Sequence, residues 1–295
     1  MKVLLAEYAT AHDPSLAREG RAMLDLLVRS FTRCGHEPLP VGTGDFASEI
    51  ERLAPACDMG LVIAPDEMLA RYTMLLEQHT RNLGCGFMTA ALCANKVQTG
   101  KVLRSHGIPV PGGAGAGKRV IKPVKGCGSQ GVRLSDGEPG EGEFVQEYID
   151  GEHLSVSIVS NRVIGDACLS FTGNPPAVLA VNRQFIGKDE DGSFRYLGGE
   201  TPVHPAREDE ITGVAKRAAE VLGCQGYCGI DVVVSDKVYV VDVNPRITTS
   251  LVGIAACMEE EIADLLIAAS IGEGPAEVHL KGSVRFDTHG KVTQL

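Results

Sequence analysis

Two periods of hydrophobic spacing alternate along the first third of the chain. Residues 2–8, KVLLAEY, form a short apolar run that reads as a buried strand. Over 17–34 the period becomes helical: Ala22, Leu26, Leu27 and Phe31 fall on one face, and Gly35 supplies a stop. Strands at 37–41 and 58–64 and helices at 46–53 and 67–80 repeat the alternation. Such alternation predicts a small parallel α/β layer. No G-x-G-x-x-G follows the first strand, so the pattern gives no support for a dinucleotide site. The expected role of this layer is a scaffold that supplies one wall of a cleft. A helix over 95–105 ends at Gly107 and the run Ile108-Pro109-Val110-Pro111. The next segment, 112–117, is nearly all Gly and Ala. GGAGAGKR resembles a phosphate-binding loop, but Arg119 stands where that loop needs a hydroxyl, so a linker is the reading.

From 119 the period shortens to that of strands, at 119–123, 143–149, 153–160 and 163–171, and predicts an antiparallel sheet. Residues 172–205 are polar and rich in Gly and Pro, and read as a long irregular loop that folds over a reaction. An amphipathic helix over 209–222 turns Ile211, Ala215, Ala218 and Leu222 inward. After it come a hairpin, a helix at 259–270 and an edge strand at 282–287.

The hairpin, 226–250, reads GYCGIDVVVSDKVYVVDVNPRITTS, with its turn at Ser235-Asp236-Lys237. Residues two apart on a strand share a face, so Asp242 and Asn244 point the same way. A two-residue turn at Asp236-Lys237 sets Asp231 opposite Asp242; one at Ser235-Asp236 sets it diagonal, on the same face. Two carboxylates and an amide oxygen are hard ligands suited to Mg²⁺ that leave room for phosphate oxygens. Arg246 adds a cation near the same edge. Each of these residues taken singly reads as an ordinary strand-end polar group; the three on one face point to a metal.

Composition narrows the partners. The chain has 295 residues, room for two or three domains with real cores. Its net charge of −10 argues against nucleic acid or an anionic membrane as partner, so a phosphate site has to be built from a few placed cations. Met-Lys before a short strand is no signal peptide and no long apolar run follows, which predicts a cytoplasmic protein. Nine cysteines without C-x-x-C pairs fit reduced thiols, and Cys224 and Cys228, with no nearby His or further Cys cluster, read against zinc. Lys122 lies on the strand before Lys125-Gly126-Cys127-Gly128-Ser129-Gln130-Gly131. Glycines at 126, 128 and 131 let amide N–H groups turn toward an anion, Ser129 adds a hydroxyl, and Lys122 shares the charge.

The motif order NK…GIPVP, VIKP with a Gly-rich loop, QEYIDGE and GID…VDVNPR resembles the ATP-grasp superfamily over about residues 95–250. The resemblance implies an α/β and α+β fold, with an N-terminal α/β domain at 1–90, a small ATP-grasp subdomain with the phosphate loop at 91–150 and a large one with the metal site at 151–295. It implies ATP bound between the two subdomains, with Mg²⁺ or Mn²⁺, two ions expected. By position Lys96 and Lys122 resemble the phosphate-contacting lysines and Gly126–Gly131 the mobile loop. Gln146, Glu147, Tyr148 and Ile149 resemble the adenine hinge. Asp231, Asp242 and Asn244 match the metal ligands and Arg246 the cation that steadies a phosphoryl group. Two positions depart from the pattern: Asp242 stands where Glu is usual, and His153 where many members place a ribose-binding Glu. LLAEYATAH…EGRAML, VNRQFIG…YLGGETPVHP and VDVNPRITTSLVG are similar to the tyramine–glutamate ligase family of methanofuran biosynthesis. That narrower resemblance implies L-glutamate and tyramine as substrates, an acyl phosphate between them, and Lys122 and Arg246 as the catalytic cations. Asn182, Arg183, Thr248 and Thr249 are the candidates for holding glutamate, and Tyr8, Phe185 and Tyr196 for the amine. A homodimer is left open. The competing readings are another ligase of amino acid and amine, a small-molecule kinase on the same fold, and a nucleotide sensor without turnover.

Overall fold

The computed structural model describes residues 1–113, 117–126, 130–162, 164–165, 170–171 and 174–295, with backbone alone for 164–165 and 170–171. Gly128 and Ser129 of the glycine loop, much of the 112–117 linker and most of the strand expected at 163–171 lie outside the described residues.

The α/β layer forms as the spacing predicts. Its parallel sheet runs in the order Glu37–Pro40, Lys2–Glu7, Met59–Ile63, Arg81–Asn82. Both faces of the central strands are apolar because both are covered. Leu4 and Ala6 pack with Phe46, Ile50, Leu69 and Leu76 from the layer's own helices. Val3 and Leu5 pack on the other face with Leu27 and Phe31 of the helix Ala17–Arg33, and with Leu251, Ile254 and Leu266 from far along the chain. The layer therefore shares one core with the C-terminal helices.

A three-stranded sheet has Arg119–Pro123 between Arg133–Leu134 and Glu143–Glu147. Next to it stands a seven-stranded antiparallel sheet. Its order is Val238–Asn244, Gly226–Val234, Glu152–Ser160, Ala177–Lys188, Phe194–Thr201, Val284–Phe286, Val292–Gln294. The helix Glu208–Val221 covers one face with Ile211, Ala215 and Ala218, all fully buried.

Two expectations need correction. Residues 174–205, the described part of the expected 172–205 loop, are no loop: they hold the strands Ala177–Lys188 and Phe194–Thr201. The first of these pairs on both sides, which satisfies the backbone despite Asn182, Arg183 and Gln184 in its middle. Cys224 and Cys228 are not alone. Cys85, just before the helix Phe87–Cys93, and Cys93, its last residue, reach the same core, and the Cys85 thiol donates to Gln225 O at 3.0 Å. Thiol neighbours Cys228, Cys85 and Cys93, and then burial, push the Cys224 thiol well above its ordinary range. Helices Phe87–Cys93 and Ser250–Cys257, and the short Ala9–His12, add to those the pattern predicts. Among the described residues no helix is long and apolar enough to cross a membrane.

Candidate functional site

The hairpin builds the floor of the site by means of a bulge. Its turn holds three residues: Val234 pairs with Val238, and Val232 with Val240. Continued regularly, that register would set Val241 opposite Asp231 and turn Asp242 toward the helix-covered core. The register shifts instead between Asp231 and Val232, so that Asp231 lies opposite Asp242 and Gly229 opposite Asn244. One extra residue thus turns the second carboxylate from the face of Val238 and Val240 to the face of Asp231.

These groups line a cleft of about 190 Å³ between the three-stranded and seven-stranded sheets. One end is walled by Val120, Tyr148, Ile149, Phe194 and His153. Tyr148 and Phe194 stack there, centroids 6.2 Å apart at 11°. The N–H groups of Glu147 and Tyr148 are taken by Gly112 O and Lys118 O at 3.0 and 2.9 Å, which fixes the strand end beside the cleft. Gly126 lines the wall at φ 144°, an angle that disfavours a side chain.

The other end is charged. Lys96 opens the helix Lys96–Ser105, capped by Asn95, whose side chain accepts from Gln98 N at 3.1 Å. Its Nζ lies 2.6 Å from both Asp242 oxygens. Burial alone would lower the Lys96 pKa; Asp242, Asp66 and Asp231 outweigh it and raise it. Lys122, beside Val241 O at 3.5 Å, goes the other way, and burial brings it down to about 8 with Lys96 adding to the shift. Burial, and then the neighbouring Asp242, push Asp231 up to about 7. Asp231 accepts from Gln184 Nε2 at 3.1 Å and from Asn244 Nδ2 at 3.3 Å. Burial, and then Lys122, lower His153. Arg246 pairs with Asp66 at 3.3 Å, an aspartate only 3% exposed, whose pKa burial raises against the pull of Arg246. Among the described residues no three carboxylate, imidazole or thiol groups form a metal cage. The donors here are two carboxylates and an amide, a set that fits a hard cation sharing phosphate oxygens.

Lys96, Lys122, Gln146 to Ile149, His153, the hairpin residues Asp231, Asp242 and Asn244, and Arg246, Thr248 and Thr249 all reach this one cleft. Gly131, at φ 70°, does not line it. Asn182 and Arg183 are not brought to it either. Asn182 is fully buried, its amide donating to Ser155 and Ser157. Arg183 faces outward to Glu152 and Glu200, held by the ion pairs that a surface arginine makes with nearby acids. Of the aromatic candidates, Tyr196 lines the cleft. Tyr8 stacks within the α/β layer and Phe185 lies under Arg285.

Besides parts of the apolar wall, sequence reading misses polar contributors, among them the following four. Gln184 and Ser250 line the cleft from the seven-stranded sheet and the helix after the hairpin. Glu19, in the first turn of Ala17–Arg33, reaches in and accepts from the Thr249 hydroxyl. Asp66 holds Arg246 from the first turn of Asp66–Glu77. Glu19 and Asp66 follow the carboxyl ends of parallel strands, where open α/β sheets place their ligands, and that rule is the signal that could have found them.

A sequence model of the ATP-grasp domain matches residues 93–250. The chain is 30% identical over 294 residues to the tyramine–L-glutamate ligase of Methanocaldococcus fervens, covering 90% of this chain and 92% of that one. The Methanocaldococcus jannaschii enzyme of the same name is 29% identical, with 90% and 88% covered. The fold superposes on an ATP-grasp superfamily protein from Archaeoglobus fulgidus with a TM-score of 0.78 at 30% identity, over 97% of this chain and 92% of that chain.

Proposed function

The chain belongs to the ATP-grasp family, and from that premise we propose that it joins the γ-carboxylate of L-glutamate to the amine of tyramine. At the coarser level it is an ATP-dependent carboxylate–amine ligase that uses a divalent metal, generally Mg²⁺. The observation that carries the finer reading is the convergence on one cleft of two lysines, an arginine and three oxygen donors, with Glu19, Thr249 and Tyr196 also lining it.

The site has to make a carboxylate electrophilic. A carboxylate and a γ-phosphate repel, and Lys122 and Arg246 offset that repulsion and hold the two in line. A preorganised charge of this kind contributes about 3–4 kcal/mol to such a barrier. A carboxylate oxygen bonds to the γ-phosphorus as the β–γ bridging bond breaks, giving ADP and an acyl phosphate. The amine nitrogen then bonds to the acyl carbon, the carbon–oxygen bond to phosphate breaks, and the nitrogen gives up a proton. Asp231, Asp242 and Asn244 would hold a divalent cation, which would supply positive charge to the phosphate oxygens. Lys96 takes phosphate, and the apolar end near Tyr148 and Ile149 takes the adenine. His153 lines the cleft on the nucleotide side of this reading. Glu19, bonded by Thr249, is the group that receives a substrate ammonium, with Thr248 and Tyr196 beside it. The division at residues 90 and 150 follows the same reading.

Heavy oxygen in the γ-carboxylate of glutamate tests the chemistry. Transfer of one labelled oxygen to inorganic phosphate is expected in turnover with tyramine. Unlabelled phosphate alongside amide would exclude the acyl phosphate.

A further inference from the structure

We propose that Lys96 is the resident cation of the carboxylate pair, and that nucleotide phosphate has to draw it off Asp242 before a divalent metal binds tightly there. The proposal rests on reading Asp231, Asp242 and Asn244 as metal ligands, and adds to it an order of binding.

The oxygens of both carboxylates already have donors. Asp242 is chelated by Lys96 through both oxygens at 2.6 Å, and its Oδ1 also accepts from its own neighbour's amide, Val243 N, at 3.0 Å. Asp231 is taken by Gln184 and Asn244. The Lys96 side chain is 9% exposed, so its ammonium has little access to water as a substitute for Asp242. Its backbone is fixed as well, by the Asn95 cap and by its own N–H on Val124 O at 3.0 Å. Charges balance: Lys96, Lys122 and Arg246 stand among Asp66, Asp231 and Asp242. A dication arriving alone unbalances the cluster and separates a buried ammonium from its counter-ion, the costly way to break a buried pair. A dication arriving with a polyphosphate brings the acceptors that Lys96 and Lys122 then use. Metal and nucleotide therefore reinforce each other, and by linkage the reinforcement is mutual. Lys96 is the element that couples them, because it is the one ligand exchanged between carboxylate and phosphate.

The test is Mn²⁺ binding to the full chain without nucleotide, by electron paramagnetic resonance, for wild type, Lys96→Met and Lys96→Gln. Glutamine keeps a donor to Asp242 and guards against a variant that fails to fold, with circular dichroism as the check. Removing the charge is expected to tighten Mn²⁺ binding by about tenfold or more, while metal-free ADP binds more weakly. Unchanged or weaker Mn²⁺ binding in both folded variants overturns the proposal. Adding Asp242→Asn separates the two layers. A gain that disappears in the double variant supports both. A gain that survives it means the metal sits elsewhere, and the ligand reading fails with the proposal. If neither Lys96 variant gains while Asp242→Asn still abolishes Mn²⁺ binding alongside ADP, the proposal fails and the ligand reading stands.

Discussion

Asp242 is held from two directions, its backbone by a bulged hairpin and its carboxylate by Lys96. Single residues were the most legible part of the site. Residue type and parity place Asp242 and Asn244 on one face, because side-chain direction on a strand needs only local geometry; bringing Asp231 to that face also took the bulge. Lys122 was marked by the glycine loop that follows its strand, whereas Lys96 needed the family resemblance, since nothing local tells it from a surface lysine. Asn182 and Arg183 failed because polarity does not report which sheet neighbour a strand residue meets. Lys122 gives a residue-scale prediction. Burial brings its pKa down to about 8, so it loses charge above that pH, and the proposed phosphate contact needs the charged form. Binding above pH 8 therefore draws a proton from solution. ADP affinity should fall by up to tenfold between about pH 8 and about pH 9.5, with net proton uptake seen as a buffer-dependent calorimetric enthalpy. Affinity flat across that range, with no proton uptake, would remove Lys122 from the phosphate site.

At the scale of elements, the helix Lys96–Ser105 shows how a cap serves a site. Asn95 satisfies an orphan N–H and thereby sets the start of the helix, which places Lys96 at its first position. Asn95→Ala should cost about 1 kcal/mol, read as a lower urea midpoint with an unchanged slope, and Asn95→Asp should restore most of it. No loss with Ala would mean that Val124 O alone fixes this end. Elements with one clean period were legible, as the α/β layer shows. Ala177–Lys188 was not, because its stability comes from partners on both edges, Glu152–Ser160 and Phe194–Thr201, rather than from an alternating pattern of its own. The hairpin bulge was half-legible: two turn registers were open in the sequence, and the fold combines a three-residue turn with a shift that reaches the same face.

The whole molecule closes around the junction of the α/β layer and the seven-stranded sheet. Gly226 begins the central strand of the hairpin at φ 59°, and a Cβ there would come 2.2 Å from Leu83 O. Gly226→Ala should therefore destabilise the fold by about 2–4 kcal/mol, from the backbone angle and the contact together. An unchanged midpoint in urea would show that the junction yields. The same junction lets Glu19 and Asp66 of the N-terminal layer reach a cleft built on distant strands. That arrangement was beyond sequence pattern, because it depends on how two sheets meet. The activity follows from the arrangement, and one measurement tests it most directly: ADP release by the purified protein with Mg²⁺, ATP and L-glutamate, with and without tyramine, and mass spectrometry of the product. The expected result is tyramine-dependent ADP release with formation of the γ-glutamyl amide. ADP release that ignores tyramine and leaves no amide, or a stable phosphoester in its place, would contradict it.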